Sequence, residues 1–333
     1  MDEFARAKTL IDKAENILIM AHKRPDGDTL GCACAFSLMF TAMEKACTLV
    51  CIDAPSDRFG FLPEVKKFTK EFNPSVYDLV ILPDIADKKM LSYDLPDGVP
   101  VILIDHHASN NGILEAINVI DEKAASASVI VYKLFQFMGV KITSHIATCL
   151  LTGIYNDTGS FMHSNTSNEV FKISSELTFA GAKMQVIIKN MFRNVPISTL
   201  KLWGKALEAL RVNKDNVAIS VLTKKDFEDC DALPSESGGI IEKMSSIPGI
   251  KFAILLHETA TTVKGSMRTV RDDVDLVKVA ELFGGGGHKK AAGFTLPGRI
   301  EREVRWKVVP ESGFDKLNDV SPINGLFIDG NLG

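Results

Sequence analysis

The sequence predicts an α/β protein in two parts: a parallel-sheet domain joined by a connecting helix to a smaller α/β domain. Three observations carry this. Short runs rich in Val, Ile and Leu alternate with helical periodicity in the first third of the chain, the pattern of a parallel sheet covered on both faces. A long helical stretch follows, and strands then return in a segment of different character. The 333 residues also exceed one usual core.

The elements follow in order. Residues 3–15 read as an amphipathic helix and 16–21 (NILIMA) as a buried strand. The polar loop HKRPDGD comes next, then an apolar helix from about Thr29 to Lys45. Strands are predicted at 47–52 (CTLVCI), 78–83 (DLVILP) and 100–104 (PVILI). Beyond Ala124, Ala127, Ile130, Leu134 and Phe137 keep one helical face, and Ile146, Leu150, Ile154 and Asp157 continue a similar spacing. Two more helices fit 167–193. Pro196 marks a break, after which Leu200, Trp203, Ala206 and Leu210 form a connecting helix. This sets a first domain at 1–185, a linker helix at 186–211 and a second domain at 212–333. In the second domain, strands are predicted at 216–222, 250–257, 261–268 and 302–309, and helices at 235–246 and 274–282. A glycine run at 284–287 leads into HKKAAGF.

Composition narrows the function. With 46% hydrophobic and 24% charged residues, each part can build an ordinary core. The formal charge of −4 excludes a global basic field for long nucleic acid, so any nucleic-acid substrate is short or held locally. The six cysteines include no C-x-x-C pair and read as small buried thiols in a reducing compartment. The N-terminus lacks a signal-peptide core, and no apolar run approaches the roughly 20 residues of a membrane span. A cytoplasmic protein is the expectation.

Three predicted strands end in the same chemistry. NILIMA runs into His22, Asp26 and Asp28; DLVILP runs into Asp84 and Asp87; PVILI runs into Asp105, His106 and His107. In an open parallel sheet, ligands bind beyond the carboxyl ends of the strands, so these residues should converge. Carboxylates with imidazoles, and no thiolate, suit Mn²⁺, Mg²⁺, Fe²⁺ or Zn²⁺. Several shared carboxylates suggest two ions, the arrangement that clamps both oxygens of a phosphoryl transfer. An isolated acid at a strand end usually caps the next helix, and that reading is taken for Asp87.

The chain then resembles a known family. His22-Lys-Arg-Pro-Asp26-Gly-Asp28, Asp84-Ile-Ala-Asp, Asp105-His106-His107-Ala-Ser-Asn and Tyr-Asn-Asp157-Thr-Gly look like the four motifs of the DHH phosphoesterases. The run Gly284 to Gly287, His288, Lys289 looks like the signature of their DHH-associated C-terminal domain. The likeness spans roughly residues 15–297 and is greatest to the branch of bifunctional oligoribonucleases and pAp phosphatases. It implies one Mn²⁺ on His22, Asp26 and Asp84, and a second on Asp28, Asp84, His106 and Asp157, with Asp84 bridging. Mg²⁺ or Fe²⁺ are the other candidates. Asp105 would orient a neighbouring imidazole, and His107 would contact the scissile phosphate or assist proton transfer. Four carboxylates, those of Asp26, Asp28, Asp84 and Asp157, match the charge of two divalent ions. Asp157 on its own reads equally as a helix C-terminal acid, although the macrodipole disfavours that placement.

In the second domain the resemblance implies substrate binding by Gly285, Gly286, Gly287, His288 and Lys289, where the run alone reads equally as a flexible turn. Arg268 matches an arginine position that grips phosphate, with Thr269 standing where the family commonly has Ser. Lower candidates are Lys23, Arg24 and His163; His145, His257, Trp203 and Trp306 read as surface or packing residues.

The implied reaction is hydrolysis of short RNA to mononucleotides, and of pAp to AMP, by metal-activated water in a cleft between the domains. The nearest alternative is a phosphodiesterase of cyclic di-AMP or pApA. Inorganic pyrophosphatase is disfavoured by the glycine signature, and a non-catalytic nucleotide sensor by a complete ligand set. The expected partners are short RNA or a small nucleotide; neither long DNA nor a membrane is expected, and a homodimer is compatible with the sequence.

Overall fold

The computed structural model describes residues 2–301, apart from 109, 111, 114–115 and 193–194; the strand anticipated at 302–309 and Trp306 fall outside the described residues. The chain divides into two units, Met1–Val195 and Pro196–Gly333.

The first unit contains α1 (Asp2–Lys13), β1 (Asn16–Met20), α2 (Gly27–Ala42), β2 (Ala46–Val50), β3 (Leu79–Pro83), β4 (Val101–Asp105), β5 (Ala116–Ile120), α3 (Ala127–Met138), α4 (Ser144–Asp157), α5 (Asn168–Phe179) and α6 (Met184–Phe192). Its sheet has the order β2-β1-β3-β4-β5 and is parallel throughout. Alternation along the strands feeds two cores. Ile17, Ile19, Leu79, Ile81, Ile102 and Ile104 face the helices and pack with Phe36, Phe40 and Phe135. Leu18, Met20, Val80, Leu82 and Leu103 face the other way, under Phe72, Tyr77, Tyr93 and Leu95. Each such side chain contributes about 1.5–3 kcal/mol of burial. The second face is therefore covered by irregular chain and short 3-10 turns, not by helices.

Helix α2 is buried on nearly all sides. Its close approach to α4 depends on glycine: a Cβ on Gly31 would lie 2.5 Å from the Cys149 carbonyl oxygen. The helix starts at Gly27, ahead of the anticipated Thr29, because the Asp26 side chain accepts from the Asp28 and Thr29 amides and caps it. Strand β5 was not anticipated; it is a five-residue edge strand whose alternate residues are half-exposed.

The second unit contains α7 (Ile197–Glu208), β6 (Arg211–Val212), β7 (Val217–Leu222), α8 (Lys224–Cys230), α9 (Ile240–Ser245), β8 (Phe252–Glu258), β9 (Thr262–Arg268), α10 (Leu276–Glu281), β10 (Gly286–His288) and β11 (Ala291–Pro297). Its sheet has the order β10-β11-β9-β8-β7-β6, in which β7 and β8 pair in parallel and the other pairs are antiparallel. Leu202 and Ala206 of α7 pack into the core with Ala218, Phe227, Met244 and Leu255. The helix anticipated over 235–246 divides into a 3-10 turn at Pro234–Ser237 and α9, because Gly239 between them adopts φ +86°. Among the described residues, no helix is long and apolar enough to cross a membrane.

Candidate metal centre

Strand order explains why the acids and imidazoles meet. From β1 the sheet extends to β2 on one side and to β3 and β4 on the other, which opens a crevice at the carboxyl ends of the strands. The chain leaving β1 supplies His22, Asp26 and Asp28; that leaving β3 supplies Asp84; Asp105 ends β4, ahead of His106 and His107.

Asp84 sits at the middle of the cluster and is buried. Its backbone takes φ 59°, unusual for a residue with a side chain, and its amide donates to the Ile104 carbonyl at 2.7 Å. Its Oδ2 accepts from Thr29 Oγ1 at 2.7 Å, whereas its buried Oδ1 has no hydrogen-bond partner. Three imidazole nitrogens surround this carboxylate: His22 Nε2 at 3.6 Å, His106 Nε2 at 3.7 Å and His107 Nδ1 at 3.7 Å. The Nδ1 of His22 lies 2.8 Å from the Lys23 carbonyl, which places the ring proton there and leaves Nε2 as the basic atom.

On the other side, His106 Nε2 lies 3.1 Å from Asp157 Oδ2, yet the two do not meet in hydrogen-bond geometry and the buried nitrogen is unsatisfied. Asp28 is fully buried, with Oδ2 accepting from the Ala127 amide and Oδ1 from the amide and hydroxyl of Ser128 at the start of α3. A Cβ on Gly153 would fall 2.4 Å from Asp28 Oδ1, so glycine makes room for that carboxylate.

Three sets of ligand atoms lie within 4.8 Å of one another: His22, Asp26 and Asp84; Asp28, His106 and Asp157; and Asp84, His106 and His107. The electrostatics call for cations. Burial, then the charges of Asp84 and Asp157, push Asp26 up to about 6. Burial, with Asp157 and Asp84, holds Asp28 well above the ordinary carboxylate range. Burial alone would lower His106, but its contact with Asp157 and the charges of Asp28, Asp157 and Asp84 raise it to about 10. Buried carboxylates that resist ionising, beside orphaned acceptor atoms, fit divalent ions in both chemistry and charge.

Asp105 is fully buried and orients His107 rather than His106: its Oδ1 meets His107 Nδ1 at 2.8 Å, and its Oδ2 accepts from Asn110 Nδ2 at 2.6 Å. Burial opposes ionisation of Asp105, but these bonds prevail and hold it below the ordinary range. The same contact raises His107. Because His107 Nδ1 is tied to Asp105, this ring is better placed to handle protons than to give that atom to an ion.

Asn156, Ser128 and Thr29 join the site as residues to which the sequence assigned no site role. Asn156 Nδ2 donates to Asp26 Oδ2 at 3.1 Å and to Asp157 Oδ1 at 3.0 Å, so one amide ties an acid of the first set to an acid of the second. Its place directly before Asp157 was the only signal. Asp87 caps a 3-10 turn through the Lys89 amide. His163 Nδ1 lies 3.2 Å from the Asp157 carbonyl and braces the turn after α4. His145 is exposed, His257 is buried against Phe227, and Trp203 packs against Gly239.

In the second unit, Arg268 ends β9 and donates through Nε and Nη2 to Glu242 Oε1 at 3.1 and 3.0 Å. Gly286, Gly287 and His288 form the exposed edge strand β10. Gly285 lies against β11, where a Cβ would come within 2.2 Å of the Gly293 carbonyl oxygen; Lys289 is exposed in the following turn.

Comparison with known proteins accords with this geometry. The DHH family N-terminal domain matches residues 16–154, and the DHHA1 domain matches residues 214–308. The bifunctional oligoribonuclease and PAP phosphatase NrnA of Thermus thermophilus is 31% identical over 85% of this chain and 84% of its own length. The cyclic-di-AMP phosphodiesterase GdpP of Geobacillus thermodenitrificans is 25% identical over 90% of this chain and 48% of its own. An exopolyphosphatase-related protein from Bacteroides fragilis superposes with a TM-score of 0.82 at 26% identity, covering 91% of this chain and 92% of that one. With acids and imidazoles gathered at the strand ends and a relative this similar over most of both lengths, the chain belongs to the DHH family and carries a DHHA1 domain after its DHH domain.

Proposed function

We propose that the chain hydrolyses short RNA oligonucleotides to mononucleotides and converts pAp to AMP, with two divalent ions, Mn²⁺ by preference. The broader class, a phosphodiesterase or phosphatase, follows from family membership. The observation that carries the finer reading is the three overlapping ligand sets at one crevice, in a chain resembling the Thermus oligoribonuclease and PAP phosphatase over most of its length. His22, Asp26 and Asp84 would hold one ion; Asp28, Asp84, His106 and Asp157 would hold the other. Such a pair would supply an acidified water and positive charge for the phosphoryl transfer.

The protein's own groups do the rest. Asp84 would bridge the two ions through its two oxygens, Oδ2 toward His22 and braced by Thr29, Oδ1 toward His106. Asp105 keeps a proton on His107 Nδ1, so that Nε2 can hold or release a proton toward the phosphate ester. Ser128 and the Ala127 amide fix Asp28, and Asn156 fixes Asp26 and Asp157. In the second unit, we assign Arg268, Gly285, Gly286, Gly287, His288 and Lys289 to the far end of an oligonucleotide substrate. The exposure of β10, the outermost strand of this sheet among the described residues, supports this.

A second reading, cleavage of cyclic di-AMP or pApA, is favoured by the likeness to GdpP. Turnover of pAp, pApA, cyclic di-AMP and a five-nucleotide RNA, each with Mn²⁺ and with chelator, separates the two. We expect the RNA and pAp to be consumed fastest and chelator to stop the reaction. Cyclic di-AMP turning over faster than both would establish the second reading.

A further inference from the structure

The loop after β1 carries Lys23, and the turn after β3 carries Lys88 and Lys89; the metal reading uses none of them. All three are exposed, and among the described residues none is held in an ion pair with a carboxylate. Together they line a groove of about 660 Å³, completed by Leu91, Ser92, Tyr93, Asp94 and Leu95. Asp94 is the one acid in that lining, so the groove carries an excess of positive charge. Its volume suits a nucleotide-sized ligand.

The groove is built onto the metal crevice. The Lys23 carbonyl receives His22 Nδ1 at 2.8 Å, and the Lys23 amide donates to the Met90 carbonyl at 3.1 Å. His22 pairs as an isolated antiparallel bridge with Leu91. Lys23 Nζ reaches the Lys89 carbonyl at 3.4 Å, drawing the two lysine-bearing segments together. The segment that orients the His22 ring is thus also a wall of the lysine groove. Ammonium groups without carboxylate partners, on segments directly joined to His22, suit a second phosphate on the same substrate.

We propose that Lys23, Lys88 and Lys89 bind the phosphate that is not being hydrolysed, and so select nucleotides carrying two phosphates. This rests on the nucleotide phosphoesterase reading above. The test uses the full chain with Mn²⁺ and compares the wild type with Lys88→Glu/Lys89→Glu and with Lys23→Gln. Two constants are measured: KM for bis-p-nitrophenyl phosphate, which has one phosphate, and the competitive inhibition constant of pAp against it. The ratio of the pAp constant to that KM should rise at least about tenfold in the double variant, since the loss of even one charged hydrogen-bonded contact is worth about that much and two are removed. Lys23→Gln should move it in the same direction. An unchanged ratio in both variants overturns the groove. Failure of the underlying reading looks different: pAp would compete in the wild type without being converted to AMP.

Discussion

Asp84 is common to two of the three ligand sets, one with His22 and Asp26 and one with His106 and His107, and is the residue we propose as the bridge between the ions. Its Oδ2 faces His22 and its Oδ1 faces His106, so its removal should disable both ions. Asp84→Ala should lower Mn²⁺-dependent hydrolysis roughly 10³-fold or more, since several kcal/mol of charge stabilisation is lost; a steady-state assay of the purified variant checks this. Asn156→Ala should act more mildly, because the amide positions acids that remain present. We expect roughly a 10–100-fold loss of Mn²⁺ affinity with the fold retained, read by calorimetric titration beside a circular dichroism spectrum. The two residues also mark what could be read from the sequence. Asp84 was legible because it follows a buried strand. Asn156 was not: its importance comes from α2 and α4 packing side by side, a long-range contact that no local pattern records.

The elements were legible where periodicity is strong. Strands β1, β3 and β4, buried along their whole length or nearly so, stood out as apolar runs, and α3 and α4 as helical faces. Strand β10 did not: Gly286, Gly287 and His288 carry no strand pattern, and the segment is a strand because β11 pairs with it. Helix α9 was overextended because the reading ran through Gly238 and Gly239. The α2–α4 contact is the element-scale feature most open to test. Gly31→Ala places a methyl group against the Cys149 carbonyl and should cost about 1–3 kcal/mol, measured as a fall in the urea midpoint. Gly153→Ala would strike Asp28 Oδ1 and Ser128 Oγ. It should therefore lower Mn²⁺ affinity as well as stability, a combination that separates site damage from packing damage.

At the scale of the whole molecule, the metal centre is a concentration of buried negative charge that folding alone leaves poorly compensated. The pKa of Asp26 is raised in the folded state to about 6 from an ordinary value of 3.8. Its contribution to stability is then fully present below the ordinary value and is lost as pH rises through about 6. The chelated protein should accordingly lose thermal stability between pH 4 and pH 7 from this group, and Asp28, raised in the same direction, adds to the loss. Ions that bind the ionised carboxylates reverse the trend. Added Mn²⁺ should raise Tm clearly at pH 7.5 and much less at pH 5, where protons compete for the same oxygens. Thermal denaturation with Mn²⁺ or chelator at both pH values checks this, and an equal rise at both would count against the assignment. The net charge of −4 gives the chain no overall positive field, consistent with local lysines rather than a broad basic face.

The central claim is that two divalent ions share Asp84. Calorimetric titration of the chelator-treated chain with Mn²⁺, wild type beside Asp84→Ala, tests it most directly. The account predicts two ions per wild-type chain and the loss of both tight sites in the variant. Two tight sites retained in Asp84→Ala, or none in the wild type, would contradict it.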